Sequence, residues 1–151
     1  MLTDERIEEY ERIVRCVAAW AQERRDIVGV AVVGSWACGA ARMDSDIDLV
    51  ILTSEKESYV ATEDWVQPAL DLEGEIVRTQ EWGPVTERRV RLPSGLELEF
   101  GFTAPSWAAI DPVDAGTARV VVDGCVPLVD HDGYFRRLIS EVQQQNRPSD
   151  S

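Results

Sequence analysis

The sequence predicts a mixed α/β domain of the α+β type, in which a mostly antiparallel sheet is flanked by helices. Two apolar runs, residues 27–33 and 47–52, have the length of buried strands and are separated by a short turn region. Residues 75–102 alternate between apolar and polar side chains and contain the turn sequences typical of hairpins. Amphipathic helical patterns lie near both ends of the chain. The length of 151 residues and the 44% hydrophobic content predict one domain over residues 1–151.

The first element is a helix predicted over residues 3–25. Thr3 is a suitable N-cap, and the acidic residues at positions 4 and 5 suit the positive end of the helix dipole. Apolar side chains recur every three or four residues, as expected for a helix with one buried face: Ile7, Tyr10, Val14, Val17 and Ala21. We expect this face to pack against the sheet.

The spacing between the first two strands constrains how they pair. The first strand, residues 27–33, ends at Gly34, and only twelve steps separate Gly34 from Asp46 at the start of the second strand. A parallel crossover would place the start of the second strand at the opposite end of the sheet. The spacing therefore predicts antiparallel neighbours, or at least a mixed sheet.

The rest of the chain is assigned in order from its patterning. The predicted segments are a polar loop over 53–61, a helix starting at 62–64, strands over 75–82, 85–92 and 96–102 with a hairpin loop at 93–95, and an irregular connection over 103–116. They continue with residues 117–123 as helix or strand, a short apolar segment at 126–129, a helix over 132–145, and a frayed tail over 146–151.

The second strand carries two carboxylates on one face. Asp46 and Asp48 are two residues apart, and such residues point to the same face of a strand. Their mutual repulsion would be relieved by a hard cation such as Mg²⁺, for which carboxylate oxygens are suitable ligands. The turn at Gly34 and Ser35 would offer free backbone N–H groups to a phosphate. Together these features indicate phosphoryl or nucleotidyl transfer.

These residues resemble a known signature. Gly34-Ser35, Gly39 and the run from Ser45 to Leu49 are similar to the motif of the DNA polymerase beta-like nucleotidyltransferase superfamily, and in particular of its small bacterial members. The resemblance implies the nucleotidyltransferase fold and transfer of a nucleoside monophosphate to an acceptor hydroxyl. It implies that the transferred group is AMP from ATP, or the monophosphate of another nucleoside triphosphate. It also implies two Mg²⁺ ions held by Asp46 and Asp48.

The resemblance also implies further site residues. It places the nucleotide phosphates near Gly34, Ser35, Gly39 and Ser45. Many small members carry a basic or hydroxyl residue where this chain has Cys38, and Arg42 is our candidate to replace that contact.

A third carboxylate is expected on a later strand beside the Asp-x-Asp strand. Leu96, Leu98, Phe100 and Phe102 take one face of the strand over residues 96–102, which leaves Glu97, Glu99 and Gly101 on the other. We assign Glu99 as the third metal ligand because it lies mid-strand beside the small Gly101, with Glu97 as the alternate. The family often has Asp at this position.

The charge of the chain limits its partners. The formal net charge is −13 at pH 7, and Lys56 is the only lysine, so the chain lacks an obvious basic patch for nucleic acid. A cationic small molecule or a basic protein fits this charge better as the acceptor. The chain also lacks a membrane-length apolar run and a signal-peptide pattern, so we expect a cytoplasmic protein without a membrane partner.

Three functional hypotheses follow. The first is a small-molecule modifier that resembles aminoglycoside nucleotidyltransferases. The second is an antitoxin-type minimal nucleotidyltransferase that modifies or masks a toxin-like protein partner. The third is a catalytically degenerate member that binds nucleotides without transferring them. The sequence leaves a homodimer open. Trp107 is either core filler or an aromatic surface against which a base or sugar stacks.

Overall fold

The computed structural model describes residues 1–146, which form one six-stranded sheet with helices on both faces. The strands are β1 (Ile27–Val33), β2 (Ile47–Thr53), β3 (Glu75–Trp82), β4 (Val85–Arg91), β5 (Glu97–Thr103) and β6 (Cys125–Asp130). The helices are α1 (Asp4–Gln22), α2 (Lys56–Val60), α3 (Val66–Leu70), α4 (Ala115–Asp123) and α5 (Tyr134–Gln145). Short 3₁₀ turns cover Gly34–Trp36, Pro105–Ala108 and His131–Gly133.

The sheet order is β3-β4-β5-β2-β1-β6. Every neighbouring pair is antiparallel except β2 and β5, which run parallel. This arrangement confirms the predicted mixed α/β fold with a mostly antiparallel sheet. It also confirms that the strands before and after the Gly-Ser turn are antiparallel neighbours.

The hydrophobic core has two layers because the central strands are buried on both faces. On β1, Val30 and Val32 pack in one layer while Ala31 and Val33 pack in the other. The first layer lies under α1 and α3, and the second lies under α4 and α5. The predicted inward residues of β5 all belong to the first layer, where Phe100 and Phe102 are fully buried. Burial on both faces explains why β1 and β2 are continuous apolar runs.

Several predicted segments need correction. Helix α1 ends three residues earlier than expected, with Glu23 as its C-cap. Residues 53–61 are not only a polar loop, since α2 lies within them. Its Tyr59 is 1% exposed and donates a hydrogen bond to Asp26 Oδ2 at 2.5 Å. Burial of this aromatic ring, together with its satisfied hydroxyl, stabilises a helix of five residues that polar composition alone does not predict.

In the C-terminal third, the structure decides whether residues 117–123 are helix or strand. Residues 117–123 are helical and belong to α4, whose N-cap Asp114 accepts a hydrogen bond from the Thr117 N–H at 3.0 Å. The short apolar segment at 126–129 lies within β6, which pairs with β1 at the edge of the sheet. The predicted frayed tail, residues 146–151, falls outside the described residues from position 147 onwards. Among residues 1–146, every helix is too short or too polar to cross a lipid bilayer.

Candidate active site

The register of the sheet aligns charged side chains in a row across four strands. Arg78 on β3 lies opposite Arg89 on β4, which lies opposite Glu99 on β5. Glu99 in turn lies opposite Asp48 on β2. Directly opposed residues in neighbouring strands have Cβ atoms about 5 Å apart and share one face of the sheet. The row therefore brings the second Asp of the Asp-x-Asp motif next to the predicted third carboxylate.

The row ends at the Gly-Ser turn. On β1, Val33 lies opposite Asp48 of β2, and the chain then enters the 3₁₀ turn Gly34–Trp36. Gly34 has a φ of +74°, and a Cβ at this position would lie 2.5 Å from Asp48 Oδ2. The missing side chain of Gly34 therefore permits both the turn conformation and the close approach of the carboxylate. The turn is anchored on the other side because Trp36 stacks on Tyr10 of α1 at 4.2 Å.

Three carboxylates converge on the guanidinium group of Arg89. Its Nη1 donates to Asp46 Oδ2 at 2.7 Å and to Glu97 Oε1 at 2.9 Å, and its Nη2 donates to Glu99 Oε1. The Arg89 side chain is 18% exposed, and its Nε is buried without a hydrogen-bond partner among residues 1–146. The structure thus brings Asp46, Glu97 and Glu99 together around a cation that belongs to the chain.

Arg89 was missed by the sequence analysis. The available signal was a group of three arginines at positions 88, 89 and 91 in a strand of a strongly acidic chain. Because strand residues alternate, Arg88 points to the opposite face, where it is 6% exposed and donates to the Tyr59 carbonyl. Arg89 and Arg91 share the carboxylate face, and Arg91 Nε donates to Glu97 Oε2 at 3.0 Å.

The surroundings of Asp48 disfavour the ionised form of its carboxyl. Burial raises the pKa of its carboxyl to about 6, and the negative charges of Asp46 and Glu87 act in the same direction. The positive charge of Arg89 opposes this shift without cancelling it. Burial therefore disfavours the ionised form of Asp48, and a cation beside it would lower the pKa of its carboxyl.

An open cleft of about 320 Å³ lies along this face of the sheet. Its walls combine carboxylates with aromatic and small apolar side chains, including Asp48, Glu87, Glu99, Trp82, Trp107 and Gly34. Trp107 is half-buried, packs against the second core layer and also lines the cleft. Its stacking against a base or sugar stays a prediction. A flat ligand could stack on these aromatic faces beside the carboxylates.

The remaining predicted site residues lie in the loop between the turn and β2. Arg42 is 78% exposed and pairs with Asp44 at 3.5 Å, and its N–H donates to Ser45 Oγ at 2.8 Å. Gly39 adopts a φ of +77° and is exposed. Within the described part of the chain, Gly39, Arg42 and Ser45 are not among the residues that line the cleft. Ser35 lies in the turn itself.

The donor atoms suit Mg²⁺, but their present arrangement suits Arg89. Asp46, Asp48 and Glu99 offer only carboxylate oxygens, which are the ligands that Mg²⁺ prefers. Across residues 1–146, however, no group of three or more acidic, histidine or cysteine side chains is arranged to hold a metal ion. The chemistry of the donor set fits the ion, while the placement of its oxygens around the guanidinium does not.

Comparison with known proteins identifies a family and several structural neighbours. The sequence model of the family described as "Nucleotidyltransferase domain" matches residues 14–98, more than half of the chain. The match includes Gly34, Asp46 and Asp48 and ends one residue before Glu99. Comparison with curated protein sequences gives no match.

The solved structures that resemble this chain are larger proteins with low sequence identity. The Cid1 poly(U) polymerase has 14% identity and a TM-score of 0.48, over 67% of this chain and 31% of that one. Its complex with the UTP analogue UMPNPP has 15% identity and a TM-score of 0.49, with the same coverage. An apo CCA-adding enzyme has 16% identity and a TM-score of 0.45, over 91% of this chain and 32% of that one. The chain therefore spans about a third of the length of these structures.

Proposed function

Because the chain belongs to the nucleotidyltransferase-domain family, we propose that it transfers AMP from ATP, or the monophosphate of another nucleoside triphosphate, to an acceptor hydroxyl. The family match confirms the resemblance predicted from the Gly-Ser and Asp-x-Asp motifs. One observation carries the finer proposal. The turn at Gly34, the carboxylate of Asp48 and that of Glu99 line the same cleft, although they come from three different parts of the chain.

The Gly34–Trp36 turn is our candidate for the phosphate site. The first N–H groups of a 3₁₀ turn have no partner within the turn, so those of Ser35 and Trp36 are available to an anion. The stacking of Trp36 on Tyr10 fixes the position of this backbone. We propose that Ser35 and these N–H groups contact the triphosphate, and that Gly39, Arg42 and Ser45 contribute through the loop that follows.

The carboxylates are our candidates for the metal site. Asp46, Asp48 and Glu99 would hold Mg²⁺, with Glu97 as the alternate ligand. When bound, two such ions would neutralise the triphosphate and lower the pKa of the acceptor hydroxyl. In the overall reaction the acceptor oxygen bonds to the α-phosphorus, the bond from that phosphorus to the bridging oxygen breaks, pyrophosphate leaves, and the hydroxyl proton is lost to solvent. The chain itself would contribute positioning and charge.

The charge of the cleft favours a cationic acceptor. Glu87 and Asp123 line the cleft in addition to Asp48 and Glu99, and the whole chain has a formal net charge of −13. A substrate with amino groups would be attracted by this field, whereas a polyanion would be repelled. Trp82 and Trp107 would provide apolar surface for the body of the acceptor or for the nucleobase.

The proposal is tested by incubating the protein with Mg²⁺, ATP labelled at the α-phosphate, and cell lysate. We expect label to appear in an acceptor, and replacement of Asp46 or Asp48 by Asn to lower the labelling rate about 100-fold or more because positioned charge is lost. Asp44→Asn is the control for the loss of one carboxylate, since Asp44 lies in the loop before β2 with a side chain that is 77% exposed. Full labelling by Asp48→Asn would contradict the proposed role of the site.

The same experiment separates the acceptor classes. Label in a low-mass fraction identifies a small-molecule acceptor, and label on a polypeptide identifies a protein acceptor, as in the toxin-partner hypothesis. Absence of label in every fraction would reject transfer to the acceptors present in that lysate.

One observation favours a second function, nucleotide binding without transfer. The guanidinium of Arg89 contacts one oxygen each of Asp46, Glu97 and Glu99, so a chain in which Arg89 never leaves would have fewer oxygens to offer a metal ion. Calorimetric ATP binding that is equal in Mg²⁺ and in EDTA would support this function. Binding that requires Mg²⁺ would support transfer.

A further inference from the structure

We propose that Arg89 is an internal counter-ion of the metal-free protein, and that a divalent cation binds only when Arg89 leaves Asp46 and Glu99. This inference rests on the proposed function, since it assumes that these carboxylates bind a metal ion. It adds Arg89 to the site, and it states that Arg89 and a divalent cation compete for the same carboxylate oxygens.

The geometry places the guanidinium where the proposed ligand oxygens converge. Arg89 Nη1 lies 2.7 Å from Asp46 Oδ2, and Nη2 contacts Glu99 Oε1. Asp46 precedes β2 and Glu99 lies on β5, so Arg89 links the same two parts of the chain that a shared metal ion would link. An oxygen that accepts these hydrogen bonds has a lone pair directed at nitrogen, and that lone pair is not available to a cation.

The charges around Arg89 leave the site underneutralised. The carboxylates on this face of the sheet are those of Asp46, Asp48, Glu87, Glu97 and Glu99, and the guanidinium groups are those of Arg78, Arg89 and Arg91. Five negative and three positive charges leave a net charge of minus two. A residual charge of two is that of one divalent cation. The face is therefore attractive to such an ion even while Arg89 is present.

Arg89 differs from its two basic neighbours in how it is held. Arg78 and Arg91 are about half exposed. Arg78 pairs with Glu87 and, at 3.8 Å, with Glu99, whereas Arg91 pairs with Glu97. Arg89 is mostly buried at the centre, yet its Nε has no hydrogen-bond partner among residues 1–146. Its side-chain hydrogen bonds come from its two Nη atoms, and a metal ion would compete for the oxygens that they contact. An open cleft beside Glu99 provides space for the displaced side chain.

The test compares Arg89→Met with Arg91→Met in metal binding without nucleotide. Both variants lose one positive charge from the same face of β4, and both residues contact Glu97, but only Arg89 contacts Asp46 and Glu99. Binding of Mn²⁺ is measured from the electron paramagnetic resonance signal of the free ion. We expect Arg89→Met to bind Mn²⁺ about tenfold or more tightly than the original chain, and Arg91→Met to gain about threefold or less, because only the former frees two ligands.

A thermal melt gives a second readout. In EDTA, we expect Arg89→Met to melt at a lower temperature than the original chain because its carboxylates then repel one another without a counter-ion. Addition of Mn²⁺ should raise the melting temperature of Arg89→Met more than that of Arg91→Met, since tighter binding to the folded state stabilises it more.

The outcomes separate this inference from the proposed function. Equal gains in Mn²⁺ affinity for the two variants, or weaker binding by Arg89→Met, overturn the competition while leaving the metal site in place. Failure of the original chain and of both variants to bind Mn²⁺ overturns the inference together with the metal assignment of the proposed function.

A measurement on the unaltered chain covers the case in which Arg89→Met does not fold. Phenylglyoxal modifies accessible arginines, and mass spectrometry of peptides locates the modified residues. We expect Mg²⁺ to increase the modification rate of Arg89 relative to that of Arg91, because the ion releases Arg89 from its carboxylates. An unchanged or decreased relative rate for Arg89 overturns the inference.

Discussion

Gly34 combines two requirements that a larger residue would violate. Its φ of +74° is unfavourable for other residues, and a Cβ would lie 2.5 Å from Asp48 Oδ2. The atom in conflict is the end of a flexible side chain, so Asp48 could rotate away. The rotation would remove its carboxylate from the cleft. A methyl group at position 34 would therefore affect the site more than the stability of the fold.

We predict that Gly34→Ala lowers the free energy of unfolding by about 1–2 kcal/mol, the cost of a left-handed conformation for an L-residue. Gly95→Ala is the matched control. Gly95 has a φ of +91° in the hairpin loop, and its Cβ would meet nothing within 4 Å. Urea unfolding should show similar losses for both variants. Only Gly34→Ala should also lower the labelling rate with ATP, by about tenfold or more, since a small displacement of Asp48, which we propose as a catalytic group, would be costly.

Asp48 should lower the stability of the metal-free protein near neutral pH. Its pKa is raised from 3.8 in its ordinary state to about 6 in the folded chain, chiefly by burial. Folding therefore favours the protonated form, and stability is lost as the pH rises from about 4 through 6. Because the carboxyl retains some contact with solvent, we expect a loss of about 1 kcal/mol, below the value that the full shift would give.

This expectation is tested by urea unfolding of Asp48→Asn in EDTA. Asparagine cannot ionise, so the variant should be more stable than the original chain at about pH 7 and equally stable at about pH 4. Asp44→Asn, at an exposed position in the preceding loop, should match the original chain at both pH values. A stability difference for Asp48→Asn that does not change with pH would refute the argument.

At the scale of the element, strands were easier to predict than the short helices. The bounds of β1 and β3 follow from uninterrupted apolar or alternating runs between turn residues, and the structure reproduces them. The helix over Lys56–Val60 was missed because its sequence is polar. Long-range contacts of Tyr59 stabilise it, among them the hydrogen bond to Asp26 and the stacking on Phe102. Local patterns contain no information about those contacts.

The candidate site shows the same division. Strand periodicity is a local property, so the Asp-x-Asp motif predicts that Asp46 and Asp48 share a face, and the alternation over residues 96–102 predicts that Glu99 lies on the polar face of its own strand. That Glu99 lies opposite Asp48 depends on the parallel register of β2 and β5, which no local pattern determines. The position of Arg89 beside these carboxylates depends on a further register, between β4 and β5. For that reason it could be recognised only in the structure.

At the scale of the whole molecule, half of the 14 arginines pair with carboxylates of the same chain. Within residues 1–146, seven arginines form ion pairs with a neighbouring Asp or Glu: Arg6, Arg24, Arg42, Arg78, Arg88, Arg89 and Arg91. With 28 acidic and 15 basic residues, the field outside the protein is negative. These seven arginines therefore contribute to internal neutralisation, and we expect the negative field of the chain to repel polyanions.

We predict that this chain does not bind single-stranded or duplex oligonucleotides at about 0.15 M salt, since binding requires cationic contacts that displace counterions from phosphates. Fluorescence anisotropy of labelled oligonucleotides should stay constant up to about 100 µM protein, a range that would detect ordinary non-specific binding. A labelled polyarginine peptide is the control in the same assay. Its anisotropy should rise with protein and fall again at about 0.5 M salt, because the attraction is screened. Salt-sensitive binding of the oligonucleotides would contradict the argument from charge and would make a nucleic acid a candidate acceptor.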